Sequence, residues 1–371
     1  MRSTESLEAA RRDLEICNAC RYCEGYCAVF PAMERRRLFT NEDISYLANL
    51  CHGCRGCFYA CQYAPPHEFG INLPKHFAEL RTETWEEYAW PRPLAGLFQR
   101  NGLVVSLATA FGIALVLFLA ALFQSSDILY GRHEGAGAFY AVIPYGAMVT
   151  VSLLSFGFAI VALAMSVANF WRDAGWKGRG TGHPASIFKT VSDVMLLTNL
   201  GGGGHGCNDV DESFSGARRW LHHAVFYGFL LCFASTCVAT VYHHFLGLEA
   251  PYPWLSVPVV LGTVGGIGLV VGTVGLFWLK FVGDPVPSAR SRLGMDVAFL
   301  VLLAGTGLTG LLLLVLRETA AMGVLLAVHL GFVLALFATL PYSRFVHGLY
   351  RTAALLRNAI ERKYMTVEAG E

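Results

Sequence analysis

Eight cysteines fall in two runs of identical spacing, Cys17-x2-Cys20-x2-Cys23-x3-Cys27 and Cys51-x2-Cys54-x2-Cys57-x3-Cys61. Three thiolates at this spacing wrap one turn of chain round a corner of an iron–sulfur cubane, and the fourth reaches a second cluster instead. The expected sets are therefore Cys17, Cys20, Cys23 and Cys61 for one [4Fe–4S] cluster, and Cys51, Cys54, Cys57 and Cys27 for the other. Zinc is the competing use of clustered cysteines. Its sites are built from well-separated CxxC pairs, not from four thiols packed into eleven residues. Ferredoxins carry proline directly after the fourth cysteine; here Ala28 and Gln62 stand there, with Pro31, Pro65 and Pro66 further on.

A second set of candidate ligands is histidine: His222, His223, His243, His244, His329 and His347 lie within or at the ends of two long apolar stretches. Ionisable groups in lipid are costly and point to function. Neutral imidazole is the usual axial ligand of b-type haem, which takes one histidine from each of two facing helices. On continuous helices His329 and His347 share a face about 27 Å apart, while His222 and His244 are about 40° out of phase and about 33 Å apart. Opposite helix directions then pair His222 or His223 with His347 at one depth, and His243 or His244 with His329 at the other. One or two haems fit this pattern.

The elements that position these groups follow from composition. With 54% hydrophobic and only 15% charged residues, most of the chain cannot sit in water. Residues 1–92 form a polar unit of short helices and loops, expected to be a ferredoxin-like helical two-cluster domain. Six apolar segments follow in residues 93–345, near 103–123, 139–169, 219–245, 255–280, 294–316 and 320–343. Each is long enough for a hydrocarbon core of about 30 Å. The second is over-long, with an outer end expected at the interface. Frequent glycine in the fourth (Gly262, Gly265, Gly266, Gly268, Gly272, Gly275) marks closely packed membrane helices. Residues 346–371 read as a basic tail. The fold class is thus mainly α: a cluster domain followed by a six-helix transmembrane bundle.

Basic residues set the orientation. Arg172, Lys177, Arg179 and Lys189 lie in the 171–218 loop, Lys280, Arg290 and Arg292 follow the fourth span, and Arg344, Arg351, Arg357, Arg362 and Lys363 follow the sixth; the opposite loops hold only Arg132 and Arg317. The positive-inside rule places both termini and the cluster domain in the cytoplasm, beneath a bacterial-type inner membrane. Met1–Glu15 shows no apolar export stretch, which fits reduced, metal-binding thiols rather than disulfides. A net charge of +1 argues against nucleic acid as a partner. His133, His183 and His205 read as loop side chains, and Cys232 and Cys237 as small hydrophobes. Asn199 to Cys207 contains four consecutive glycines but lacks the lysine and the preceding strand of a phosphate loop. It reads as a connector able to contact the cluster domain or a partner.

Taken together, the cysteine runs, Leu200-Gly-Gly-Gly-Gly-His-Gly-Cys207, and Trp220-Leu-His-His-Ala-Val-Phe-Tyr-Gly228 leading to Tyr242-His-His244 resemble the tricarballylate/citrate-utilisation B family of iron–sulfur membrane proteins. The C-terminal part of the fused, flavin-containing precorrin-3B synthase variant belongs to the same group. The eighteen-residue histidine pair is also similar to that of the dihaem membrane subunit of respiratory nitrate reductase. The resemblance implies a chain that reoxidises the FADH2 of a separate FAD-dependent dehydrogenase acting on tricarballylate or a related tricarboxylate. Membrane quinone is the expected acceptor. An electron supply to oxygen-dependent precorrin-3B synthesis is the runner-up. A redox sensor or transporter would need an output domain or paired mid-membrane charges, and the sequence offers neither.

Overall fold

The computed structural model describes residues 4–178 and 184–368, and their regular structure is almost wholly helical. Arg179 and His183 lie outside the described residues. The cluster domain is built from α1 (Glu5–Cys20), α2 (Val29–Glu34), α3 (Asn41–Leu50), α4 (Gly56–Tyr59) and α5 (Leu73–Tyr88). Thr4, Thr40 and Asn72 cap α1, α3 and α5, their side-chain oxygens accepting the N–H of Leu7, Asp43 and Lys75. The buried faces, Leu7, Leu14, Ile44, Leu47, Phe77, Leu80 and Trp85 among them, form one core. In both cysteine runs the residue after the second cysteine, Arg21 or Arg55, adopts left-handed backbone (φ 55° and 66°). That reversal turns the chain back, so the two runs repeat in conformation as well as in sequence.

The membrane part comprises α6 (Asn101–Phe123), two short helices α7 (Ser126–Leu129) and α8 (Ala138–Val142), then α9 (Tyr145–Ala174), α10 (Pro184–Leu196), α11 (Ala217–Leu246), α12 (Val257–Val282), α13 (Leu293–Leu316), α14 (Met322–Thr339) and α15 (Val346–Glu368). Six stretches among the described residues are long and apolar enough to cross a membrane, matching the six expected. The second begins at Tyr145, because Ile143 and Pro144 separate its outer residues into α8. Close approach is set by glycine: a Cβ at Gly228 on α11 would lie 2.7 Å from Leu269 N and 2.8 Å from Gly265 O of α12.

The last span does not continue as one helix to His347. Pro341 supplies no N–H to the helical ladder. Leu340–Tyr342 tightens into a 3-10 turn, Ser343 is extended (φ −122°, ψ −178°), and α15 starts at Val346. The phase relation expected for His329 and His347 on a continuous helix therefore does not hold.

Residues 346–364 pack into the cluster domain, where Tyr350, Ala354 and Leu355 share its core with Phe170 and Ala174 of α9. A buried ion-pair network fixes this contact. Glu361 meets Arg35 (3.2 Å), Arg36 (2.6 Å) and Arg357 (2.7 Å), while Asp43 meets Arg36 (2.8 Å) and Arg357 (2.7 Å). Arg357 also lies 4.2 Å from the centre of the Tyr46 ring.

Candidate electron-transfer site

The eight thiols gather into two neighbourhoods. Around Cys17 the thiols close enough to repel it as thiolates are Cys20, Cys23 and Cys61; around Cys57 they are Cys54, Cys27 and Cys51, with Cys23 further off. These are the crossed sets expected from the spacing. A pocket lined by Cys17, Cys20, Cys23 and Cys61 is walled by Ile16, Phe30, Phe58, Ile71 and Leu73, and Cys57 borders it, so the two neighbourhoods adjoin. Burial first, then the neighbouring thiolates (for Cys17, Asp13 ahead of them), pushes Cys23 up to about 12 and Cys17, Cys27 and Cys57 upward as well. Such thiols ionise only against a strongly positive partner, as iron binding supplies. Among the described residues no three His, Cys, Asp or Glu side chains converge as they would on a single ion.

Cys54 is covered from the membrane part. The backbone N–H groups of Gly56 and, less strongly, Gly202 act on its thiol, and Asn208 N–H donates to its carbonyl at 2.9 Å. Gly202 has φ 47°, and a Cβ on Gly206 (φ 124°) would lie 2.6 Å from Ser215 O. Glycine is required for a loop folded this tightly. The connector read from the sequence is thus a lid on the second cysteine set. Arg218 of α11 reinforces it, bonding Gly53 O at 2.6 Å and Asp209 at 2.6 Å.

The cysteine loop 51–54 is bonded to the two helices that carry the inner histidines, by Arg218 to Gly53 O and by Arg351 to Cys51 O. His222 and His347 face each other with ring centres 5.9 Å apart and planes at 78°. Two imidazoles on opposite sides of one metal, each about 2 Å from it, would place their ring centres roughly 6 Å apart. His347 Nδ1 donates to Arg344 O at 2.6 Å, which leaves Nε2 as the free lone pair. The Nδ1 of His222 is buried without a hydrogen-bond partner. These two residues fit a bis-histidine haem. His223 turns away, between Trp220 and Tyr227.

The outer histidines are arranged differently. His243 stacks on Tyr145 (3.8 Å, 22°), and His244 Nε2 lies 2.8 Å from the Tyr145 hydroxyl. His329 Nδ1 is 3.0 Å from Thr309 Oγ1; because that hydroxyl donates to Gly305 O, it accepts from the ring. Gly310 leaves room for this ring, since a Cβ there would lie 3.1 Å from it. Among the described residues, no ring contact joins His329 to the doublet. Phe156, Phe229, Phe233, Phe337 and Phe345 lie between the two levels, with ring centres 4.9–5.8 Å apart in pairs. Of the remaining candidates, His133 bonds Ile128 O at 2.7 Å, His205 packs on Phe214, and Cys232 packs on Gly265.

One residue that sequence reasoning passed over is His52, between the second set's first two cysteines. Its Nδ1 donates to Leu50 O at 2.9 Å, and burial, Arg351, Arg81 and nearby His222 hold it well below its usual value and so neutral. It stands between the second cysteine set and the inner histidines. Arg81 and Arg351 both donate to Cys51 O, at 2.5 and 2.9 Å. The helical spacings Arg218-x3-His222 and His347-x3-Arg351 were the available signal for Arg218 and Arg351, and they do not reach Arg81.

With this geometry established, comparison with known proteins gives one consistent result. Residues 96–368 match the family model described as citrate utilization protein B, and residues 10–87 match its Fer4-like domain. The chain is 48% identical over 361 residues to the citrate utilization protein B of Escherichia coli, covering 97% of this chain and 94% of that protein. No solved structure matches it.

Proposed function

The chain belongs to the citrate utilization protein B family, with the iron–sulfur electron-transfer role its Fer4-like domain suggests, and from that premise we propose a specific path. The protein takes electrons from the reduced FAD of a separate tricarballylate-type dehydrogenase and delivers them to membrane quinone. Cys17, Cys20, Cys23 and Cys61 hold one [4Fe–4S] cluster, Cys27, Cys51, Cys54 and Cys57 hold the other, and His222 and His347 hold a b-type haem. When bound, these groups supply one-electron acceptance, which splits a two-electron donor into single steps.

The residues of the chain set the order. The first set lies beside Tyr22, 70% exposed, which suits entry from a soluble partner. Cys57 borders both sets and shortens the step between them. The Cys51–Cys54 loop ends that path against His222 and His347, and Arg344 O keeps the His347 ring turned for ligation. Basic residues flanking the spans support a cytoplasmic position for the cysteine domain. The observation that carries the reading is this loop, held on one side by the cysteine set and on the other by the histidine-bearing helices.

Protein purified from membranes should contain about eight cluster irons per chain and a low-spin haem spectrum. His347→Ala should remove the inner haem band and leave cluster iron and acid-labile sulfide unchanged. Haem retained at the wild-type level in that variant would overturn the assignment. Reduced partner flavoprotein should bleach cluster absorbance within the mixing time, and no bleaching would overturn the donor.

A further inference from the structure

Arg218 stands four residues before His222 on α11, and Arg351 four residues after His347 on α15. A four-residue step keeps side chains on one helix face. Since α11 leaves the cluster domain and α15 enters it, both guanidiniums lie on the cluster side of the histidine pair. Arg81 joins them from α5.

The arginines here are unevenly paired with carboxylates. Arg218 is paired with Asp209 at 2.6 Å, and Arg344 (3.1 Å) shares Asp296 with Lys280. Among the described residues, neither Arg81 nor Arg351 has a carboxylate at ion-pair distance. Both instead share the carbonyl of Cys51, and the Nε of each is buried without a partner. Arg81 is only 4% exposed. The negative charge that both feel most is the Cys51 thiolate, with Asp296 also near Arg81, and two buried guanidiniums sharing one thiolate call for a further anion. A guanidinium fork suits a carboxylate in particular.

A porphyrin seated between two axial histidines carries two carboxylates on one edge. We infer that Arg81 and Arg351 bind the carboxylate edge of the porphyrin held by His222 and His347, turning that edge toward the Cys51–Cys54 loop. This rests on the haem reading above. It gives the porphyrin one orientation out of the two that the histidines alone would allow, and it raises the haem potential by neutralising the acidic edge.

The test uses full-length protein in detergent, stripped of haem and reconstituted with haemin or with haemin dimethyl ester, in which the carboxylates are blocked. Wild-type protein should bind the ester at least tenfold more weakly. Arg81→Gln and Arg351→Gln should bring that ratio toward one. With haemin bound they should also lower the haem midpoint, a tenfold change in the one-electron equilibrium being about 59 mV. Arg81→Lys and Arg351→Lys, which keep the charge, should recover part of the shift. Equal wild-type affinity for acid and ester would overturn the clamp while leaving the haem in place, and this comparison needs no variant. A haem midpoint unchanged in the variants, with the second cluster's EPR midpoint moved instead, would assign the arginines to the cluster and also overturn the clamp. Wild-type protein that binds neither porphyrin would remove the haem reading and the clamp together.

Discussion

Cys61 belongs by sequence to the second run, yet its thiol lies with Cys17, Cys20 and Cys23. Cys61→Ser should therefore cost the first cluster and spare the second, so that iron falls from about eight to about four per chain with one EPR signal retained. Loss of the cluster whose other ligands are Cys51, Cys54 and Cys57 would contradict the crossed sets. At Cys54 the Gly202 N–H, after that of Gly56, favours an electron-rich sulfur. Hydrogen bonds of this kind raise cluster potential. Gly202→Val, strained at φ 47°, should displace that donor and lower the second cluster's midpoint in an EPR-monitored titration, with the iron count unchanged. The grouping of the thiols was legible in the sequence because covalent spacing nearly dictates which of them can approach one another. The histidines were less so. Choosing His222 over His223 depends on the rotation of α11 about its axis, which a doublet at neighbouring positions leaves open.

Among the elements, α11 and α12 pack at a distance only glycine permits. Gly228→Leu must push backbone from backbone, an overpacking that costs about 1–3 kcal/mol or more. It should lower the melting temperature in detergent and loosen the haem proposed at His222, six residues away on the same helix. The spans were readable from hydropathy and the glycine pattern. The interruption at Leu340–Ser343 was not, because the residues around Pro341 are as apolar as a helix would need, and hydropathy does not distinguish a 3-10 turn from an α-helix. The basic residues of α15 read as a solvated tail for a similar reason. Arg357 is instead satisfied by Asp43, Glu361 and Tyr46, partners spread over more than three hundred residues of chain. Glu361→Ala leaves three buried guanidiniums short of a partner and should cost roughly 3 kcal/mol, read as a lower melting temperature, with Glu361→Gln less severe.

For the molecule as a whole, the fold class followed from the sequence: a polar cysteine domain, six apolar stretches and an asymmetric distribution of charge. How the two parts join did not. Joining depends on isolated long-range bonds, Arg55 to Asp209 O at 2.8 Å, Tyr59 to Asp284 at 2.6 Å and Asn72 to Val286 O at 2.9 Å, and none has a local signature. Orientation is testable independently. Single cysteines placed at Lys177 and at Arg132 in a background lacking Cys232 and Cys237 should label from opposite sides of sealed vesicles, and labelling from one side would invert or break the proposed topology.

The bond from Arg351 to Cys51 O spans three hundred residues, and α15 fills the core of a domain whose other helices are made first. The first part of the protein to leave the ribosome is therefore the last to be finished. The loop that carries Cys51 and Cys54 stays without its lid until Gly202 is synthesised, and without its far wall until the final helix arrives. Docking of α15 is thus the step expected to close the second cysteine set. A chain cut before Val346 should leave its second set exposed and lose iron there to chelators faster than at the first.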